Sequence, residues 1–271
     1  MRAKRDFRDK IVIITGAAGG MGKAFCQAFG RVGAKLGLLD LESDGLRSFE
    51  KELTEKGLEC LAAACDVTER DQCEGAINTM IKRFGGIDVL INNAGITHRS
   101  AFSETDTEVF HRVMNVNYFG SLYCTKAALD SLIDRKGLII VISSAAGFSP
   151  LYGRTGYSAS KHALHGLFDS LRSELRSAGV GVMIVCPGFT ATGISTSALD
   201  RDGTVTSHPQ STVGRVSQPD EVADAVLRAA ACDKRLLVLS MVGRATRLLN
   251  KLFPALYERI MARSLSSELE R

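Results

Sequence analysis

KIVIITGAAGGMGKAFCQAFGRVGA, Lys10 to Ala34, is the stretch that decides the fold. Its first six residues, Lys10 to Thr15, are dominated by apolar, β-branched side chains, the pattern of a parallel strand buried on both faces. TGAAGGMG, Thr15 to Gly22, follows at once, and KAFCQAFGRVGA then has helical spacing. Strand, glycine-rich turn and helix in that order set backbone N–H groups beside a helix N-terminus, a cradle for a pyrophosphate. Gly16 permits the tight turn, while Gly20 and Gly22 let phosphates approach and the helix lie close to the strand.

Outward from this unit, strands and helices alternate. Ala34–Leu39 reads as a second strand ending in Asp40, placed to bond an adenosine ribose 2′-OH. No Arg follows it to neutralise a 2′-phosphate, so NAD is favoured over NADP. The competing reading has Asp40 capping the helix that begins near Ser43. A third strand, Leu58–Ala64, leads to Asp66 and Val67; Asp66 either faces the adenine amino group or caps the helix from Glu69. Ile87–Ile91 is a fourth strand, followed directly by NNAG, Asn92 to Gly95. The resulting fold is α/β, a single-domain Rossmann-like doubly wound parallel sheet of about seven strands with ligand at the C-terminal strand edge.

The chemistry lies further on. Asp106–Leu132 reads as one long helix holding Asn115 and Asn117, and asparagine inside a helix needs a compensating bond or role. Leu138–Ile142 is a strand ending in Ser143 and Ser144, which suit either a turn or a site. In GYSASKHALHGL, Gly156 to Leu167, Tyr157 and Lys161 stand four apart on one helix face. A lysine ammonium there favours phenolate and lowers the tyrosine pKa, making a tunable general acid/base. Alone, such a pair is weak evidence, since an aromatic often leans on a solvated lysine stem.

TGAAGGMG, Asp40, NNAG, Asn117, Ser144, Tyr157-x-x-x-Lys161 and PGFTAT (Pro187 to Thr192) together resemble the classical short-chain dehydrogenase/reductase family over about residues 8 to 240. That resemblance implies Tyr157 as proton donor or acceptor and Lys161 as its modulator and nicotinamide-ribose ligand. It further implies Ser144 orienting the substrate oxygen and Asn117, rather than Asn115, holding a water in a proton relay. The expected dinucleotide site comprises Gly16, Ala18, Gly19, Gly20, Met21, Gly22, Asp40, Asp66, Val67, Asn93, Ala94, Gly95, Tyr157, Lys161, Pro187, Gly188, Thr190 and Thr192. The implied reaction moves a hydride between NAD(H) and a secondary alcohol or ketone, in a homodimer or homotetramer. Two other readings share the scaffold: a non-catalytic NAD-binding regulator, and an epimerase or dehydratase with tightly held cofactor.

The rest sets bounds. A net charge of +4, spread along the 271 residues, offers no dense basic run for nucleic acid. Seven scattered cysteines without a CxxC pair suit buried thiols in a reducing cytosol, with no zinc-ligand spacing and no metal expected. The N-terminal apolar run is too short for a signal peptide core, so residues 1–9 read as a solvated arm ahead of a catalytic domain spanning 10–240. Residues 193–214, rich in Gly, Ser, Thr and Asp, read as a mobile substrate lid. Phe148, Leu151, Tyr152 and Phe189 would give a fairly apolar pocket mouth. His98 and Arg99 are read first as a surface loop pair, second as contacts to a polar substrate end. The extension 241–271 is amphipathic and broken at Pro254. A lid over the pocket or a subunit contact ranks ahead of a membrane-surface segment over 244–263.

Overall fold

The computed structural model describes residues 4–207, 210–212 and 214–266. Seven parallel strands form one sheet: β1 (Ile11–Thr15), β2 (Lys35–Asp40), β3 (Cys60–Ala64), β4 (Val89–Asn92), β5 (Leu138–Ile142), β6 (Gly181–Cys186) and β7 (Leu236–Val238), in the order β3-β2-β1-β4-β5-β6-β7. The order reverses between β1 and β4, and the crevice at such a switch point is where open α/β sheets take ligands. Helices cover both faces: α1 (Gly20–Gly30), α2 (Asp44–Glu55) and α7 (Pro219–Ala231) on one, α3 (Arg70–Phe84), α5 (Gly120–Asp134) and α6 (Thr155–Glu174) on the other. The continuous apolar runs follow from this burial. In β5, Leu138, Ile140 and Ile142 enter one core layer while Ile139 and Val141 enter the other, the period of two that a strand imposes.

Two departures from the sequence reading have identifiable causes, while the C-terminal break falls beside Pro254 as that reading has it. The described part of the arm, residues 4–9, is docked, not solvated: Phe7 is buried with its ring 5.1 Å from Phe29, and Arg5 pairs with Asp233 at 2.6 Å; residues 1–3 lie outside the described residues. The single long helix is two, α4 (Thr107–Met114) and α5, joined by a π-helical turn over Asn115–Phe119. Such turns widen a helix by one residue and recur at functional sites; this one contains Asn117. The C-terminal extension forms α8 (Met241–Leu252) and α9 (Pro254–Leu265), with the break at Phe253, where the proline ring cannot continue the preceding helix.

Candidate active site

The glycine turn has the form its sequence predicts. Gly16 sits at φ +64°, and a β-carbon at Gly22 would lie 2.0 Å from the Gly16 carbonyl oxygen, so loop and helix meet backbone to backbone. No side chain caps α1 at Gly19, and its first turn carries no acid, leaving amide donors aimed at the crevice. Asp40 does not cap α2; Ser43 does, accepting from Leu46 N at 3.1 Å. Instead Asp40 Oδ2 accepts from Ala18 N at 2.7 Å and Oδ1 from Leu41 N at 2.8 Å. The carboxylate thereby fastens the tip of β2 to the glycine turn and stays partly exposed there. Asp66 forms a turn, with Oδ1 accepting from both the amide and the hydroxyl of Thr68. Val67 is buried against Gly120. These groups suit a dinucleotide: uncapped amides for the phosphates and an accessible carboxylate at the ribose position.

Asn93 and Ala94 close the crevice between β1 and β4. Both donate their amides to Thr15 Oγ1 at 3.0 Å, and Asn93 Nδ2 reaches the Thr15 and Gly16 carbonyls at 2.9 and 3.1 Å. Thr15, which the sequence reading treated as strand and turn only, is therefore the junction of the two strand ends. Across the crevice, Pro187 and Gly188 begin a segment that runs back to α1, setting Thr192 opposite Gly20; Thr190 Oγ1 turns onto the Gly188 carbonyl at 3.2 Å. The candidate dinucleotide residues from the two halves of the chain thus meet at one strand edge.

The candidate catalytic side chains gather at the adjoining end of β5. Lys161 is buried, with Nζ donating to the Ile142 carbonyl at 2.9 Å and lying 5.6 Å from the centre of the Tyr157 ring. Loss of hydration lowers its pKa to about 8. Ser144 stands close enough to the Tyr157 hydroxyl to favour its phenolate, and its Oγ accepts from Ala146 N at 3.2 Å, capping a single 3₁₀ turn over Ala145–Gly147. The turn-capping reading of Ser144 is therefore seen directly, and its side chain stands beside Tyr157. The expectation that Lys161 lowers the tyrosine pKa is corrected. Burial of the hydroxyl raises the Tyr157 pKa, although the residue as a whole stays half-buried. The opposing influences are the Ser144 hydroxyl and the positive charge of Arg154, while Lys161 Nζ bonds the sheet carbonyl of Ile142.

Asn117 is fully buried. Its Nδ2 donates to the Ile96 carbonyl at 3.0 Å and to Ser160 Oγ at 2.8 Å, while Oδ1 accepts from Ile96 N at 2.8 Å. Both amide hydrogens are spent on protein. The side chain acts as a clamp on the strand-end loop and on α6. Ser160 completes the link by donating to the Tyr157 carbonyl at 2.8 Å. It lies inside the same motif as Tyr157, but nothing in its spacing marked it.

His98 and Arg99 are not a surface pair; both are buried. His98 Nε2 accepts from Gly156 N at 2.9 Å and so caps the start of α6, with Nδ1 3.2 Å from Ser100 Oγ. Burial, assisted by the Arg154 charge, lowers its pKa to about 4, so the ring is neutral, as an acceptor nitrogen requires. The segment after residue 193 is partly anchored. Ala198 and Leu199 are buried, Arg99 N and Leu199 N bond the Leu199 and Thr97 carbonyls at 2.8 and 2.9 Å, and Leu199 packs with Val109, Val113 and Tyr157. Residues 208, 209 and 213 of the expected lid lie outside the described residues. Of the expected pocket mouth, Phe148 packs edge-on to His165 and Tyr152 is 37% exposed.

Comparison with known proteins agrees with this geometry. Residues 10–202 match the short chain dehydrogenase family profile. Dehydrogenase/reductase SDR family member 7B of Danio rerio is 36% identical, over 97% of this chain and 87% of its own. Among solved structures, a short chain dehydrogenase/reductase from Burkholderia phymatum in complex with NAD superposes with a TM-score of 0.83 at 26% identity, covering 93% of this chain and 96% of that one. An alcohol dehydrogenase from Thermococcus sibiricus complexed with 5-hydroxy-NADP gives 0.73 at 28% identity, covering 85% and 94%. The chain belongs to the short-chain dehydrogenase/reductase family. It is a Rossmann-like oxidoreductase with a nicotinamide dinucleotide site.

Proposed function

We propose that this chain interconverts a fairly apolar secondary alcohol and its ketone with NAD(H), using Tyr157 as the acid/base. The observation that carries the reading is the meeting of Ser144, Tyr157 and Lys161 at the strand edge that also bears the glycine turn. When bound, the nicotinamide ring supplies or accepts the hydride. The protein's own task is the oxygen. In the reducing direction Tyr157, kept protonated at neutral pH by its burial, donates its phenolic proton to the carbonyl oxygen as negative charge develops there. Ser144 Oγ has one lone pair occupied by Ala146 N, and its hydroxyl hydrogen is left to steady the same oxygen. Lys161, with a pKa of about 8, is still mostly ammonium at pH 7 and sits one turn away to balance the phenolate formed.

NAD is favoured by Asp40. Its carboxylate stands where a 2′-phosphate would meet like charge, and both its oxygens keep a lone pair beyond the bonds to Ala18 and Leu41. An apolar substrate is supported by Ile96, Val109, Val113 and Leu199, which cluster with Tyr157. Tyr157→Phe tests the proposal: turnover of secondary alcohols should fall by about 10² to 10⁴-fold, with dinucleotide affinity retained. Undiminished turnover would overturn it. A purified protein that retains NAD through dialysis and gives no net reduction or oxidation would instead favour an epimerase or dehydratase.

A further inference from the structure

We propose that the outward face of α8 and α9 is a docking surface for an anionic lipid bilayer. Met241, Leu248, Leu252, Phe253, Leu256 and Ile260 are each 48% to 76% exposed. On α8, positions 241, 248 and 252 share one helix stripe, and on α9 positions 256 and 260 share another; Phe253 joins the two. Large apolar side chains aligned this way at the surface mark a partner rather than chance exposure.

The inner faces of these helices are already engaged. Asn250 Nδ2 donates to the Phe148 carbonyl at 3.1 Å, Tyr257 hydroxyl to the Pro150 carbonyl at 3.1 Å, and Met261 Sδ accepts from Tyr152 N at 2.9 Å. The apolar stripe therefore belongs to the side turned away from the domain, and the helices are held in place without it.

Charge selects the partner. Between residues 241 and 265 the cations Arg244, Arg247, Lys251, Arg259 and Arg263 stand against Glu258 alone. On α8 the three cations are placed along one flank of the stripe, within about a third of a turn of it; Arg244 Nε also donates to the Val238 carbonyl at 3.1 Å and Arg247 lies over the Phe148 ring. A two-fold contact between copies presents the same patch from both sides, so it would bring these cationic borders together with little acid to offset them. Lipid phosphates and serine carboxylates are complementary to them, and acyl chains to the leucines between. No described helix is long and apolar enough to cross a membrane, so the contact is one of a helix pair lying in the interface plane.

The test is co-sedimentation of the whole protein with phosphatidylcholine vesicles, with or without roughly a third phosphatidylserine. Expected is binding to the anionic vesicles that weakens as salt rises, and little binding to phosphatidylcholine alone. Leu248→Gln with Leu252→Gln should abolish binding, and Lys251→Gln with Arg259→Gln should weaken it about thirtyfold. All four side chains are exposed, so melting temperature and dinucleotide affinity should be unchanged in both variants. Those two readouts keep this proposal separate from the active-site reading. Absence of binding to anionic vesicles at low salt overturns it, whatever the variants do. So does a double-leucine variant that binds vesicles as wild type but turns an oligomer into a monomer in light scattering, which would assign the face to a second copy.

Discussion

Lys161→Met replaces a buried ammonium by an unbranched apolar side chain of similar length. The lysine pKa falls from 10.5 to about 8 inside the protein, and each tenfold in proton affinity is worth about 1.4 kcal/mol. Holding the charge therefore costs about 3 kcal/mol at neutral pH. The unfolded lysine keeps its proton up to pH 10.5 while the folded one releases it near pH 8. Between those values the unfolded chain binds more protons, so wild-type stability rises with pH. From pH 7 to about pH 9.5 the gain is about 2 kcal/mol. The methionine variant has no such gain; it also loses the Nζ bond to the Ile142 carbonyl, an offset of about 1–3 kcal/mol that is largely constant with pH. Urea unfolding of dinucleotide-free protein, followed by circular dichroism at both pH values, should show the wild type improving relative to K161M by about that amount. A stability difference that stays flat, or one that moves the other way, would refute the buried, desolvated placement of this lysine. Turnover should be lost in the variant at either pH.

Three further outcomes follow from the geometry. Gly22→Ala sets a β-carbon 2.0 Å from the Gly16 oxygen and 2.7 Å from Ala17 Cα; with backbone on both sides, it should cost about 3 kcal/mol, and a thermal melt should show a midpoint lowered by about 5–10 °C. Asp40→Ser should shift the NADP-to-NAD ratio of kcat/KM upward by about tenfold or more, while weakening the glycine turn through the lost Ala18 bond. His98→Phe leaves the Gly156 amide without its acceptor and should lose about 1–3 kcal/mol. The wild type should also lose stability as pH falls from 6.5 towards 4, because the unfolded histidine takes up a proton that the folded one refuses; chemical unfolding across that range should show this acid leg missing in the variant.

Much of the fold was legible because its signals are local. β1, its glycine turn and α1 follow from one continuous stretch, and β5 from a run of five apolar residues whose burial the sheet confirms. The strand-edge position of Ser144 and the shared helix face of Tyr157 and Lys161 were likewise readable from period alone. What escaped depends on contacts across long separations. The histidine cap joins residues 58 apart, and the Asn117 clamp on Ile96 and Ser160 joins separations of 21 and 43. Neither leaves a local pattern, and the π turn at Asn117 differs from ordinary helix by only one residue. The direction of the Tyr157 shift was misread for another reason: spacing fixes which side chains share a face, but not which carbonyl captures the lysine head.

His98 joins two parts of the site at once. Its main chain runs beside Leu199 as an isolated bridge while its ring holds the first turn of α6 through Gly156, next to Tyr157. Any swing of the 193–199 segment large enough to admit a bulky molecule must tug on that residue. A displacement there would thus be felt at the first turn of α6, one residue from Tyr157.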